Sequence, residues 1–449
     1  MERSMNMHTL DEMETSRYNS RAVASAAWHS LFWLAFANAI GVLIAILLLV
    51  PALNRQLGEW TYGRWMMVHM NLELYGWASL PLVGFLFRVY GADRGPTANW
   101  CRPVLWVWSA SLGVGVLSWL SGNSSGKLFL DWSGYARVLF PGALLVLWLL
   151  LVFALVGSWR ESGSASVAAW AAKLAGLVVL LAVPFLIYIA SGPNTYPPVN
   201  PDTGGPTGAS QLESSLAIVA VLLMLPFGIA RRKLGKSGIF VASWMVLVAE
   251  SILCVALGRA DVSHHSPVQF LSLGSLLIWL PLVPAYYKAF EWHPNTRRWR
   301  LAFLWWWGAL LVTGWVFFLP GVLDHFKFTD GLVGHSFVAM AGFTSSLLIF
   351  VMVQLLGEGG WIFNRSRSFY LWNGSVIAYI VLMTMAGWRE GFDPTFTIVP
   401  GIARNILYTL RLVTGILMLL AALDWLVDAS TLLREPVLAA AEVPQEKTA

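Results

Sequence analysis

Charge is scarce in this chain: of 449 residues only 12% are Asp, Glu, Lys or Arg, while 57% are hydrophobic. A soluble domain carries about a quarter of its residues as charges to wet its surface, so this composition excludes one. Cysteine is nearly absent. Cys101 and Cys254 stand alone on separate predicted elements, which leaves neither a disulfide framework nor a CxxC metal signature. There is no phosphate-cradling glycine loop, no nucleophile elbow, no long run of like charge and no internal repeat. The first 25 residues are polar and lack the short apolar segment and small-residue cleavage site of a secretory leader.

What the chain does have is long apolar runs, near 27–50, 65–86, 103–121, 136–157, 168–191, 210–229, 238–257, 267–287, 301–322, 333–355, 370–387 and 404–427. About 20 such residues in a helix span the roughly 30 Å of a bilayer's hydrocarbon. The runs predict an all-α polytopic membrane protein: a tail over 1–25, a twelve-helix membrane domain over 26–428 and a tail over 429–449. With the N-terminus inside, 20 Lys and Arg fall inside and 8 outside, with Arg411 left within the last helix. That bias obeys the positive-inside rule and predicts that both tails are cytoplasmic. The net charge of +5 then records topology, with the lipid bilayer and not nucleic acid as the surrounding partner.

This orientation gives the histidines a depth. His69 lies just below the outer surface in the second helix, His264 and His265 in the outer turn after the seventh, and His335 at the outer entry of the tenth. Imidazoles from three segments at one depth are what a bundle needs to hold metals between helices. The alternative for each is a helix-end or loop histidine bonded to a neighbouring carbonyl. His8, His29, His293 and His325 are given surface or loop roles. Glu250, an acid in mid-membrane, is a candidate proton relay, or else an acid kept neutral by desolvation. Glu73, one turn beyond His69, is a candidate partner orienting that imidazole, and Arg411 with Asp424 a candidate pair in the last helix. The turn-rich loop 191–208 reads as a cap, a docking surface or a plain connection, and the 25 tryptophans as an interfacial belt.

The segment Gly63-Arg-Trp-Met-Met-Val-His69-Met-Asn-Leu-Glu-Leu-Tyr-Gly-Trp77 resembles the second helix of subunit I of the heme-copper oxidase superfamily, where a histidine is an axial ligand of the low-spin heme. The adjacent His264-His265 resembles that family's copper ligands, or the non-heme iron ligands of its nitric oxide reductases. Thr329-Asp-Gly-Leu-Val-Gly-His335 resembles the start of the tenth helix in C-type oxidases, whose histidine binds the high-spin heme. The stretch Tyr408-Thr-Leu-Arg-Leu-Val-Thr-Gly-Ile-Leu is similar to the last helix.

The resemblance covers most of the chain and implies a twelve-transmembrane-helix bundle of the heme-copper oxidase subunit I type. It implies one or two b-type hemes, copper or non-heme iron, and Arg411 on a heme propionate. Electrons would come from a cytochrome c-type or other electron-donating membrane subunit, O2 or NO would be reduced, and the location would be a bacterial inner membrane. Two positions depart from the family pattern: Phe337 stands where the second low-spin ligand is expected, and the sixth helix has no histidine, leaving Glu213 or Gln211 as substitutes there, with Glu213 also a candidate for a proton path. The seventh helix also lacks a tyrosine. A degenerate subunit with a structural or electron-relay role is therefore the alternative. A transporter would instead place polar sites at the membrane midplane.

Overall fold

The computed structural model describes residues 20–161, 167–195, 208–257 and 265–434. Among these, eleven helices are long and apolar enough to cross a membrane. We label the rods in chain order: α1 (Ser20–Leu49), α2 (62–90), α3 (Ala98–Leu120), α4 (Ala136–Glu161), α5 (Val167–Ala190), α6 (Gly208–Ile229), α7 (Ser237–Leu257), α8 (267–288), α9 (Arg297–Phe317), α10 (330–356), α11 (Ser366–Phe392) and α12 (Ile402–Arg434). The rod outside the eleven is α2, the expected second span. It is interrupted at Ser79 into Tyr62–Ala78 and Leu80–Tyr90, neither of which is by itself long enough to cross.

Helices dominate because apolar chain in lipid can satisfy its backbone only within itself. Prolines inside α3, α4, α5 and α6 are tolerated, as expected where neighbouring rods restore the lost bond. Among the described residues the one sheet is a two-residue ladder, β1 (Arg231–Arg232) against β2 (Phe290–Glu291).

Two rods widen midway. In α2 the α-helix Tyr62–Asn71 gives way to a π-helical stretch, Leu72–Ala78, before Leu80–Tyr90 resumes α. In α10 the same happens over Asp330–Phe337, Val338–Thr344 and Ser345–Leu356. Such widened turns gather at functional sites.

Two apolar cores meet on α1. Ala22, Ala26, Trp33 and Ala37 face a core shared with α2 to α5, whereas Val23, Ala27, Leu31 and Leu34 face the larger core built by α6 to α12. The last helix α12 lies along α1, so the chain's two ends close the bundle. The interfacial belt does not account for all tryptophans: Trp77, Trp119, Trp132, Trp279, Trp299 and Trp425 are fully buried. Most of these find an acceptor for the indole N–H, such as Ser345 Oγ at 2.9 Å for Trp77, which removes the cost of burying it.

α1 is already helical at Ser20 and α12 is still helical at Arg434, and the rest of both expected tails lies outside the described residues.

Candidate functional site

His69 lies three residues before the π stretch of α2. Its Nδ1 is 2.8 Å from the Ala37 carbonyl of α1. A carbonyl only accepts, so Nδ1 carries the proton and Nε2 keeps its lone pair. Four residues along α1, Gly41 gives the ring its place: a Cβ there would sit 3.0 Å from His69 Cε1. The expected Glu73 contact to His69 is not made; the orienting group is the Ala37 carbonyl, and Glu73 lies enclosed in the bundle without a hydrogen bond to any described residue.

His335 repeats the arrangement on other elements. It too lies three residues before a π stretch. Its Nδ1 is 3.2 Å from Thr313 Oγ1 of α9, and that hydroxyl already donates to the Ala309 carbonyl at 2.7 Å. The hydroxyl oxygen must therefore accept, which again leaves Nε2 with the lone pair. Gly314 faces this ring, a Cβ there lying 3.5 Å from Cε1, and Phe317 flanks it at 5.2 Å between ring centres.

The start of α10 is fixed by its caps. Thr329 Oγ1 accepts from Gly331 N at 3.1 Å, and Glu390 Oε2 of α11 accepts from Asp330 N at 2.5 Å. The carboxylates of Glu390 and of Asp330 itself sit where the helix N-terminus favours negative charge. Close approach of α10 to α11 needs the glycines: a Cβ on Gly387 would lie 2.1 Å from Gly331 N.

Next to these lies a buried charge cluster. Arg411 Nη1 of α12 is 3.6 Å from Asp330 Oδ1, and Tyr408 Oη donates to Asp330 Oδ2 at 2.9 Å. The guanidinium carbon is 5.5 Å from the Tyr379 ring centre and 5.6 Å from that of Tyr408. Arg411 is within electrostatic reach of both His69 and Tyr62. The expected pairing of Arg411 with Asp424 is not formed. Asp424 lies more than three turns further along the rod, beyond the reach of a side chain on the same helix, and accepts instead from Ser368 Oγ.

The remaining expected sites are separate from these. Phe337 stacks on Tyr379, 3.8 Å between ring centres and 16° between planes. His265 has its Nε2 2.7 Å from Asp324 Oδ2, with Lys327 Nζ 3.5 Å from the other carboxylate oxygen, and its side chain is 59% exposed. His264 lies outside the described residues, as do 196–207 of the expected cap. Lys127 Nζ donates to the carbonyls of Ala190, Gly192 and Thr195, tying down the start of that cap. Glu250 is buried, accepting from Trp279 Nε1 at 2.5 Å through Oε2, while Oε1 has no partner among the described residues. Glu213 is exposed on α6.

An imidazole with Nδ1 tied and Nε2 free is prepared to ligate a metal through Nε2. His69 and His335 both fit heme iron on this ground, each with a glycine making room beside the ring. Copper or non-heme iron is different: among the described residues no group of three or more His, Cys, Asp or Glu is placed to hold a metal. His265 also directs Nε2 at a carboxylate instead.

Thr313, Asp330, Tyr379 and Tyr408 were not anticipated from the sequence. Tyr408 and Arg411 do stand three apart, on one face of α12, and Thr313 is an isolated hydroxyl in an apolar run beside Gly314. No family model matches the chain, and no curated protein matches it.

Proposed function

We propose that the chain is a membrane redox subunit of the heme-copper oxidase subunit I type, holding heme on His69 and His335 and reducing O2 or NO with electrons from a partner cytochrome. One observation carries this reading: two histidines on different rods are prepared alike, with Nδ1 tied, Nε2 free, a facing glycine and a π stretch three residues on. In this reading α2 completes a twelve-helix bundle, both tails are cytoplasmic and the membrane is a bacterial inner membrane.

Heme would supply the one-electron chemistry and the gas-binding iron. The chain's own residues do the rest. Ala37 and Thr313 fix the tautomers of the two imidazoles. Arg411, held by Asp330 and within reach of His69, supplies positive charge for a propionate. Glu250, with Oε2 accepting from Trp279, is the proton-path residue of this reading.

The second reading is an electron-relay or structural subunit that keeps the fold without gas reduction. The Phe337–Tyr379 stack favours it, because an aromatic ring stands where a second axial imidazole is expected. So does His265, engaged with Asp324.

A reduced-minus-oxidised visible spectrum of the purified protein, with carbon monoxide added and iron counted per chain, separates the two. Two hemes and a carbon monoxide shift, with one heme lost in each of His69→Ala and His335→Ala, support the first reading. One heme that ignores carbon monoxide supports the second. A heme-free protein overturns the first reading and leaves the structural form of the second.

A further inference from the structure

A groove at the opposite end of the bundle has no part in the histidine chemistry. Where α6 hands over to α7, Arg231, Arg232, Lys233 and Lys236 fall within six residues with no acid among them. The turn is held in place: β1 pairs with β2, and Lys233 N donates to the Ala289 carbonyl at 2.9 Å. Glu291 stands opposite Arg231 in that ladder, so one acid faces four cations.

Arg232 lies over the Phe240 ring, its guanidinium carbon 4.1 Å from the ring centre and 5.9 Å from that of Phe227. This holds the charge at the mouth of a groove of about 700 Å3, lined along α7 by Phe240, Val241, Trp244, Val248 and Ile252. Val241, Val248 and Ile252 are exposed on the outside of the bundle. From Phe240 to Ile252 the helix rises about 18 Å, and half of the hydrocarbon core is about 15 Å. The groove therefore runs the depth of one leaflet, with cations at the level of its headgroups.

We propose that this groove binds an anionic phospholipid, with the phosphate on Arg232 and Ser237 at its mouth and an acyl chain along α7 from Phe240 to Ile252. Charge complementarity selects this occupant: a cation cluster beside an apolar channel suits a phosphate joined to a hydrocarbon chain. A helix of a companion subunit would fill the channel without supplying an anion to Arg232.

The test is native mass spectrometry of the full chain in detergent, with phosphatidylglycerol or phosphatidylcholine added. The wild type is expected to retain phosphatidylglycerol in preference to phosphatidylcholine, and Arg232→Gln to lower that retention about fivefold. Ala249→Trp, which fills the groove at an exposed position without touching the charges, is expected to lower it as well. Equal retention of the two lipids, or wild-type retention in both variants, overturns the proposal. So does a photo-crosslinker at Val248 that captures a polypeptide and not lipid in native membranes.

Discussion

His69 and His335 are prepared alike but sit in different surroundings. The first is tied to a backbone carbonyl, crowded by Gly41 and within reach of the buried Arg411; the second is tied to a threonine hydroxyl, has more room at Gly314 and is flanked by Phe317. The shared part is ligand preparation, which either a carbonyl or a hydroxyl can supply. The difference is electrostatic. A buried cation beside one imidazole and an aromatic ring beside the other would give two hemes different potentials, as successive sites in an electron path require.

The largest effect that would break this comparison comes from Arg411. Arg411→Leu strands the Asp330 carboxylate in the bundle, an uncompensated buried charge that costs about 3–5 kcal/mol. Thermal unfolding should drop accordingly, and the heme assigned to His69 should be lost or shifted while the spectrum assigned to His335 stays. If both bands respond equally, the two sites are not electrostatically distinct.

Phe337→His introduces an imidazole where the ring now stacks on Tyr379. The expected result is a new bis-histidine low-spin band; an unchanged spectrum shows that position 337 does not face the His69 heme.

The glycines sharpen the comparison further. A methyl at Gly41 meets the His69 ring at 3.0 Å, one at Gly314 meets the His335 ring at 3.5 Å. Gly41→Ala should therefore lower heme content, whereas Gly314→Ala should be tolerated, as pyridine hemochrome assays of the two variants would reveal. Thr313→Val removes the Nδ1 partner of His335 alone, at about 1 kcal/mol. It should shift only the band assigned to His335.

The smallest effect lies behind the His69 rod. Asp131, in the loop between α3 and α4, accepts from Asn71 Nδ2 at 2.9 Å and is almost fully buried. Burial pushes its carboxyl above the ordinary value, with Asn71 and backbone N–H groups pulling the other way. A carboxyl raised in the folded state adds stability below its unfolded value and loses it as pH rises through the folded one. Asp131→Asn should therefore flatten the fall in melting temperature across that window, leaving the wild type the more pH-sensitive of the two.

The sequence was informative where a single residue type at a given depth carries the signal. His69 and His335 stood out because an imidazole in hydrocarbon is costly without a partner. The orienting groups were not legible: the Ala37 carbonyl belongs to every residue alike, and Thr313 is 22 positions from His335. The Glu73 expectation failed because His69 Nδ1 is taken by the Ala37 carbonyl of a neighbouring rod, which spacing along α2 does not report. The Arg411 partner was sought on its own helix and found on α10.

Composition and apolar run length alone determined an all-α membrane bundle, since hydrocarbon permits a spanning backbone few other forms. They also marked which histidines lie near one end. Only the tertiary structure decided that two of these have a free Nε2, that His265 is engaged by Asp324, and that Arg411 pairs with Asp330. The physical reason is that hydrogen-bond direction and ion pairing depend on contacts between rods distant in sequence. Apolar periodicity records which residues are sheltered from water, not which of them meet.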